Sequence, residues 1–202
     1  MEIIGVTVSV NYSDILAFML RQNAKFLHKW YIVSSPEDIK TAELLRASNL
    51  ENVELLIYHG FHENGAVFNK GGAVQFAQNH IENNYTGANI LLLDSDIYLP
   101  DTFTDKLPAC IEDNILYGVR ERLDYWTVED YVKNQNPRPY RHGDAFVGFF
   151  QLYKQNTYKY PSSYSCSDCD NLFSRMFGNH IHIEISVKHL GKEGDNWYGR
   201  RI

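Results

Sequence analysis

Short unbroken apolar runs alternate along this chain with longer stretches in which apolar residues recur every three or four positions. IIGVTVSVNY, residues 3 to 12, is β-branched and predicts a first buried strand. Asn11-Tyr12-Ser13-Asp14 ends it, with Ser13 placed to cap a helix over about residues 13 to 26. FLHKWYIVSS predicts a second strand, and Ser35-Pro36-Glu37-Asp38 opens a second helix with proline in its first turn. NVELLIYH predicts a third strand, followed by a loop and a helix over about residues 69 to 83. Repeated β-α-β units with buried strands predict an α/β fold. Its central sheet is mostly parallel, flanked by helices, with right-handed crossovers.

The next run, ANILLLDSDIYLP at residues 88 to 100, predicts the central strand. Alternation along a strand sends Asp94 and Asp96 to one side at its carboxyl end, where α/β sheets bind their ligands. Two carboxylates aimed at one spot repel unless a cation sits between them. Paired hard oxygens suit Mg²⁺ or Mn²⁺, and such an ion can hold a diphosphate. The bland alternative is that both aspartates cap the following turn.

Beyond Pro100 the signals weaken. A short helix is expected over about residues 101 to 110, then a strand at NILYGVRERL. Residues 124 to 144 mix aromatics, prolines and charges without period and read as a mobile loop or irregular surface structure. AFVGFFQLY, residues 145 to 153, reads as a strand. A helix is expected over about residues 167 to 177, with Ser167 as cap and Asp168 and Asp170 in its first turn. His180, His182, Glu184 and Ser186 alternate with apolar residues as the solvent face of a half-buried edge strand that ends at His189.

Composition narrows the function. The 202 residues carry a net charge of −6, which argues against a chain that relies on phosphate-backbone attraction and so disfavours nucleic acid as partner. With 44% apolar residues one sizeable core is expected, hence a single domain over residues 1 to 202. No apolar run is long enough to span a bilayer and the start has no basic leader pattern, so a soluble, cytoplasmic chain is expected. Cys110, Cys166 and Cys169 cannot all pair within one chain, which fits a reducing compartment. The 14 tyrosines suit either sugar faces or an aromatic core.

Apolar strand, Asp94-Ser95-Asp96 and continuing Ile97 resemble the DxD signature of GT-A-fold, nucleotide-sugar-dependent glycosyltransferases, and the likeness runs in order along nearly the whole chain. The resemblance implies a single GT-A domain, with residues 1 to 100 as the nucleotide-binding half and 101 to 202 as the acceptor half with a C-terminal metal-binding loop. It implies transfer of a sugar, from a UDP-linked donor by default, to a carbohydrate or other hydroxyl acceptor. Val10, Asn11 and Tyr12 would contact base and ribose, joined by Ser34 or Asp38. Asn69-Lys70-Gly71-Gly72 is similar to the N-K-G segment preceding the DxD strand, which sets Lys70 toward the diphosphate, as does a helix amino end. Asp94, Asp96 and His189 would hold the metal, Mn²⁺ rather than Mg²⁺ because an imidazole is among the ligands, with Ser95 beside the donor. The string S-D-C-D-N-L-F-S-R resembles the E-D-x-D-L-x-x-R helix of inverting members, making Asp168 or Asp170 the catalytic base, although Ser167 replaces the glutamate. His189 to Trp197 matches the span of the H-x-x-G-x-x-K-P-W loop of a retaining family, with Gly191 one residue early. Residues 189 to 202 then read as a lid, hinged at Gly191, Gly194 and Gly199, with Lys192, Arg200 and Arg201 toward the diphosphate and Trp197 over the donor. The alternatives are a HAD-like phosphatase using Asp94 and Asp96, and a non-catalytic sugar- or nucleotide-binding domain of the same fold.

Overall fold

The computed structural model describes residues 1–141, 148–165, 168–191 and 200. Strands β1 (Ile3–Val8), β2 (Lys29–Ser34), β3 (Val53–Ile57) and β4 (Asn89–Leu93) alternate with helices α1 (Ser13–Ala24), α2 (Ile39–Ser48) and α3 (Lys70–Asn84). They form a wholly parallel block in the order β3-β2-β1-β4. Along β4, Leu91 and Leu93 pack into one apolar cluster with Leu16 and Leu20 of α1, while Ile90 and Leu92 pack into another with Ala73, Ala77 and Ile81 of α3. Both faces of the block are therefore covered, which is why its strands read as continuous apolar runs rather than alternating ones.

Past β4 the sheet turns mixed. A two-residue strand β5 (Ile97–Tyr98) precedes β6 (Ile115–Tyr125), helix α4 (Val128–Lys133), β7 (Arg138–Arg141), β8 (Phe150–Lys154), helix α5 (Cys169–Ser174) and β9 (Asn179–Leu190). The nine-stranded sheet runs β3-β2-β1-β4-β8-β6-β9-β5, with β7 paired to β6. Both β8 pairings are antiparallel, and β9 runs parallel to β6. One continuous sheet spans both halves of the chain, and separate apolar clusters on its two faces make up the core. Tyr117, Tyr125, Tyr153 and Tyr160 are buried in it, which gives much of the tyrosine content a packing role.

Several local expectations need correction. Tyr12, not Ser13, stands at the cap of α1, and no side chain caps it. Helix α2 starts after Pro36, at an Asp38 cap whose carboxylate accepts from Thr41 N. The expected helix at 101 to 110 is a single 3₁₀ turn, Thr104–Lys106. The presumed irregular loop contains α4, capped by Thr127, and β7, because a cap and a short strand lie below the reach of periodicity. Strand β8 starts only at Phe150, and α5 is shorter than expected. Strand β9 is an edge only along its first part, since Tyr98 and Ile97 of β5 pair with Lys188 and His189. His180 is exposed but bonded to Ser174, which fits its solvent-face reading.

Candidate functional site

Asp94-Ser95-Asp96 occupies the turn between β4 and β5 rather than continuing the strand, with Ile97 N–H donating to Asp94 O at 3.3 Å. Thr7 Oγ1 anchors β4 by donating to Leu93 O at 2.7 Å, and Phe149 O accepts from Asp94 N–H. Because a turn lacks strand alternation, the two carboxylates meet different cations.

Asp94 meets Lys70, the first residue of α3. Lys70 Nζ lies 2.8 Å from Asp94 Oδ1 and 3.5 Å from Asp170 Oδ1. Asn69 sets this helix start by accepting from Gly72 N–H at 2.8 Å. Gly71 has to be glycine, since a Cβ there would stand 1.8 Å from Pro161 O. The close approach expected of Gly71-Gly72 is thus made by the chain's own backbone. Asp170 enters from α5, where Tyr160 donates to its Oδ1, and a Cβ at Gly148 would fall on its carboxyl group. Asp168 is exposed at the amino end of α5. The structure therefore brings Asp170, and not Asp168, to Lys70 and Asp94. Burial pushes the Asp94 carboxyl up, Lys70 pulls it back, and the charges of Asp96 and Asp170 raise it again, to about 6.

Asp96 meets His189, whose Nε2 lies 3.3 Å from Asp96 Oδ2. On the other side of the ring, Nδ1 lies 2.9 Å from Asp124 Oδ1, and Arg122 grips Asp124 with Nε at 2.7 Å and a second nitrogen at 3.2 Å. Burial alone would push the imidazole down, but Asp96 and Asp124 raise it to about 9. Burial likewise works to raise both carboxyls, and His189 with Arg122 outweighs it, holding Asp96 and Asp124 below the usual carboxylate range. Arg122 and Asp124 were missed in the sequence. Their signal was two opposite charges at positions i and i+2 of RERLDY, hence on one face of a strand.

At the end of β1, Asn11 adopts φ 63° and donates its N–H to Asp38 Oδ2 at 2.7 Å. Asp38 also accepts from Ser34 Oγ and from Thr41 N and Oγ1, so its carboxylate serves four donors of the protein itself. Val10 packs in the core, and Tyr12 is buried against Ile15, Met19 and Leu190. Ser95 is buried in its turn. Arg200 sits not on the acidic cluster but with its guanidinium 4.5 Å from the Tyr12 ring centroid and 2.7 Å from Asp14, while its carbonyl accepts from Asn11 Nδ2. Lys192 and Trp197, with most of the expected lid, lie outside the described residues.

Among the described residues, no three His, Cys, Asp or Glu side chains meet closely enough to hold an ion as they stand, and Asp94 is engaged by Lys70. Asp96 and His189 nevertheless fit a divalent cation. Oxygen and imidazole nitrogen face each other, and the far ring nitrogen is tied to a carboxylate, as metal-ligating histidines require. Gly191 leaves the cradle open, since a Cβ there would come within 3.2 Å of His189 Nε2. No helix among the described residues is long and apolar enough to cross a membrane.

No protein-family model matches the chain, and no curated protein matches it in sequence. Solved structures similar in fold include the galactosyltransferase LgtC in complex with donor and acceptor sugar analogues, at 14% identity and a TM-score of 0.51, covering 89% of this chain and 72% of that one. A 4-diphosphocytidyl-2C-methyl-D-erythritol synthase gives 13% identity and 0.48, over 91% of this chain and 89% of its own. Mouse xyloside xylosyltransferase 1 in its apo form gives 12% and 0.38, over 76% and 67%. Of these the first is close enough in geometry to establish the fold, a single Rossmann-like α/β domain of the GT-A type.

Proposed function

We propose that this chain transfers a sugar from a nucleoside diphosphate sugar, UDP-linked by default, to an acceptor hydroxyl. One observation carries the reading. At the carboxyl end of the parallel strands, where α/β folds bind ligands, the turn Asp94-Ser95-Asp96 is met by His189 on one side and by Lys70 with Asp170 on the other. That is a diphosphate-handling set of groups on a fold shared with a galactosyltransferase. Asp96 and His189 would hold the cation, Mn²⁺ in preference to Mg²⁺ because a nitrogen would be among the donors. When bound, a divalent cation there neutralises the diphosphate as it departs.

The chain's own groups do the rest. Lys70 exchanges Asp94 for a phosphate oxygen, which releases the Asp94 carboxylate. Asn11, with Tyr12 packed beside it, forms the wall for base and ribose beyond the end of β1, and Asp38 fixes the Asn11 backbone from behind. Among the described residues, Tyr160 and Lys70 address Oδ1 of Asp170, so Oδ2 is the oxygen that takes a proton from an acceptor in an inverting transfer. Thermal denaturation with a panel of nucleoside diphosphate sugars, with and without Mn²⁺, tests the reading. A rise in midpoint that needs both components, followed by release of the nucleoside diphosphate, is expected. Turnover of a generic phosphate ester without any nucleotide effect would replace the transferase by a phosphatase acting through Asp94 and Asp96. Binding without turnover would leave a sugar-nucleotide binding domain.

A further inference from the structure

The imidazole of His189 is held from both flanks of its strand. Within the sheet His189 is the register partner of Asp124 on β6 and of Ile97 on β5, so one neighbour supplies the carboxylate at Nδ1 and the other carries the turn that presents Asp96 to Nε2. Leu190 N–H donates to Asp96 O at 3.0 Å and Gly191 N–H to Tyr125 O at 3.0 Å, which pins the backbone directly after the histidine. Asp124 is itself immobilised. Arg122 binds both of its oxygens, and the guanidinium lies 5.1 Å from the ring centroids of Tyr140 and of Phe149. Arg122, Asp124 and His189 are each less than a tenth exposed, so water does not compete for these bonds.

A buried Arg–Asp pair is costly to desolvate and adds little stability compared with apolar packing, so its place here calls for another reason. We propose that Asp124, locked by Arg122, is a positioning residue that fixes His189 as its Nδ1–H tautomer and thereby aims the Nε2 lone pair at the cation shared with Asp96. Both ring nitrogens face a carboxylate, which can only accept, but the contact at Nδ1 is the shorter, 2.9 Å against 3.3 Å at Nε2, and its acceptor is the one Arg122 braces, so the single proton of the neutral ring is held at Nδ1. Nε2 is then the nitrogen left with a lone pair, and it faces Asp96 beside the bare Cα of Gly191. Arg122 supplies the two-point grip that stops the Asp124 carboxylate rotating away. The three residues thus set the direction of a ligand whose partner, Asp96, comes from elsewhere in the chain.

This inference rests on the metal site proposed above, and the test separates the two. Mn²⁺ binding to the full chain is measured by calorimetry for the wild type, for Asp124→Asn and for the double variant Arg122→Met/Asp124→Asn, which leaves no unpaired buried charge and so guards against loss of fold. In parallel, ¹⁵N spectra of histidine-labelled, metal-free protein are recorded in alkaline buffer, where the ring is neutral, to read its tautomer. The expected result is an affinity about 10- to 100-fold weaker in both variants, the usual cost of an outer-shell partner, with the His189 signal changing from Nδ1–H to a mixture. Asp124→Glu, which keeps the carboxylate, should restore the tautomer and part of the affinity. Unchanged affinity and tautomer in the variants overturn the positioning role and leave the metal site standing. Absence of Mn²⁺ binding in the wild type overturns both.

Discussion

Asp94 and Asp96 are two residues apart in one turn, yet they sit in opposite electrostatic settings. Asp94 keeps 35% of its side-chain surface exposed and leans on a lysine that is shared with Asp170. Asp96 keeps 11% and faces an imidazole that is itself braced by Asp124 and Arg122. Burial and like charge win at Asp94, pushing its carboxyl up to about 6, whereas the buried cations win at Asp96 and hold it down. An ammonium on a flexible stem is an exchangeable partner, since it can trade a carboxylate for a phosphate oxygen. A chain of short bonds among buried groups is not exchangeable, because breaking one member leaves an uncompensated charge. Under the function proposed above, the turn divides its two carboxylates into a movable side, toward the donor, and a fixed side, toward the ion.

The largest effect is expected on the movable side, at Asp170. Asp170→Asn should lower sugar transfer by ~10² to 10⁴ with donor binding nearly unchanged, while Asp168→Asn should leave both intact. Equal loss in the two variants, or none in either, would remove Asp170 as base. On the fixed side, Asp96→Asn should weaken Mn²⁺ by more than ~100-fold, beyond what an outer-shell change costs. Asp94→Asn should weaken it by about tenfold or less if Lys70 is its true partner. Comparable losses at both positions, measured by titration with Mn²⁺ and nucleoside diphosphate, would abolish the division drawn above.

The remaining effects are read by changing pH. The His189 pKa of about 9 exceeds the ordinary 6.5, so its contribution to metal-free stability is complete below about pH 6.5 and lost as pH rises through about 9. Asp96 and Asp124, held low, contribute above the ordinary carboxylate range and lose their share as pH falls. Asp94 runs the other way, favouring the fold in its protonated form and losing that share as pH rises toward about 6. In chelator, the melting midpoint should fall from neutral to alkaline pH in the wild type but not in His189→Gln. Mn²⁺ affinity should move oppositely, rising about tenfold per pH unit up to about pH 9 as the displaced proton becomes easier to lose.

Residue order alone carried everything encoded locally. The apolar runs of β1, β2 and β4 announced buried parallel strands because both their faces are covered, and Asp94-Ser95-Asp96 was legible as a candidate site because charge followed directly on such a run. His189 was legible as the polar end of a late strand. The fold's amino-terminal half followed from the same periodicities, whereas α4 and β7 were too short to produce one. Only the tertiary structure decided which group meets which. Asp124 reaches His189 through β6–β9 register, Asp170 rather than Asp168 turns toward Lys70, and Arg200 comes to rest on Tyr12. Each of these pairings joins residues dozens of positions apart, and a one-residue slip of β9 against β6 would have sent His189 to the other face of the sheet. Strand register is fixed by packing of the whole core, which no local pattern of side chains records.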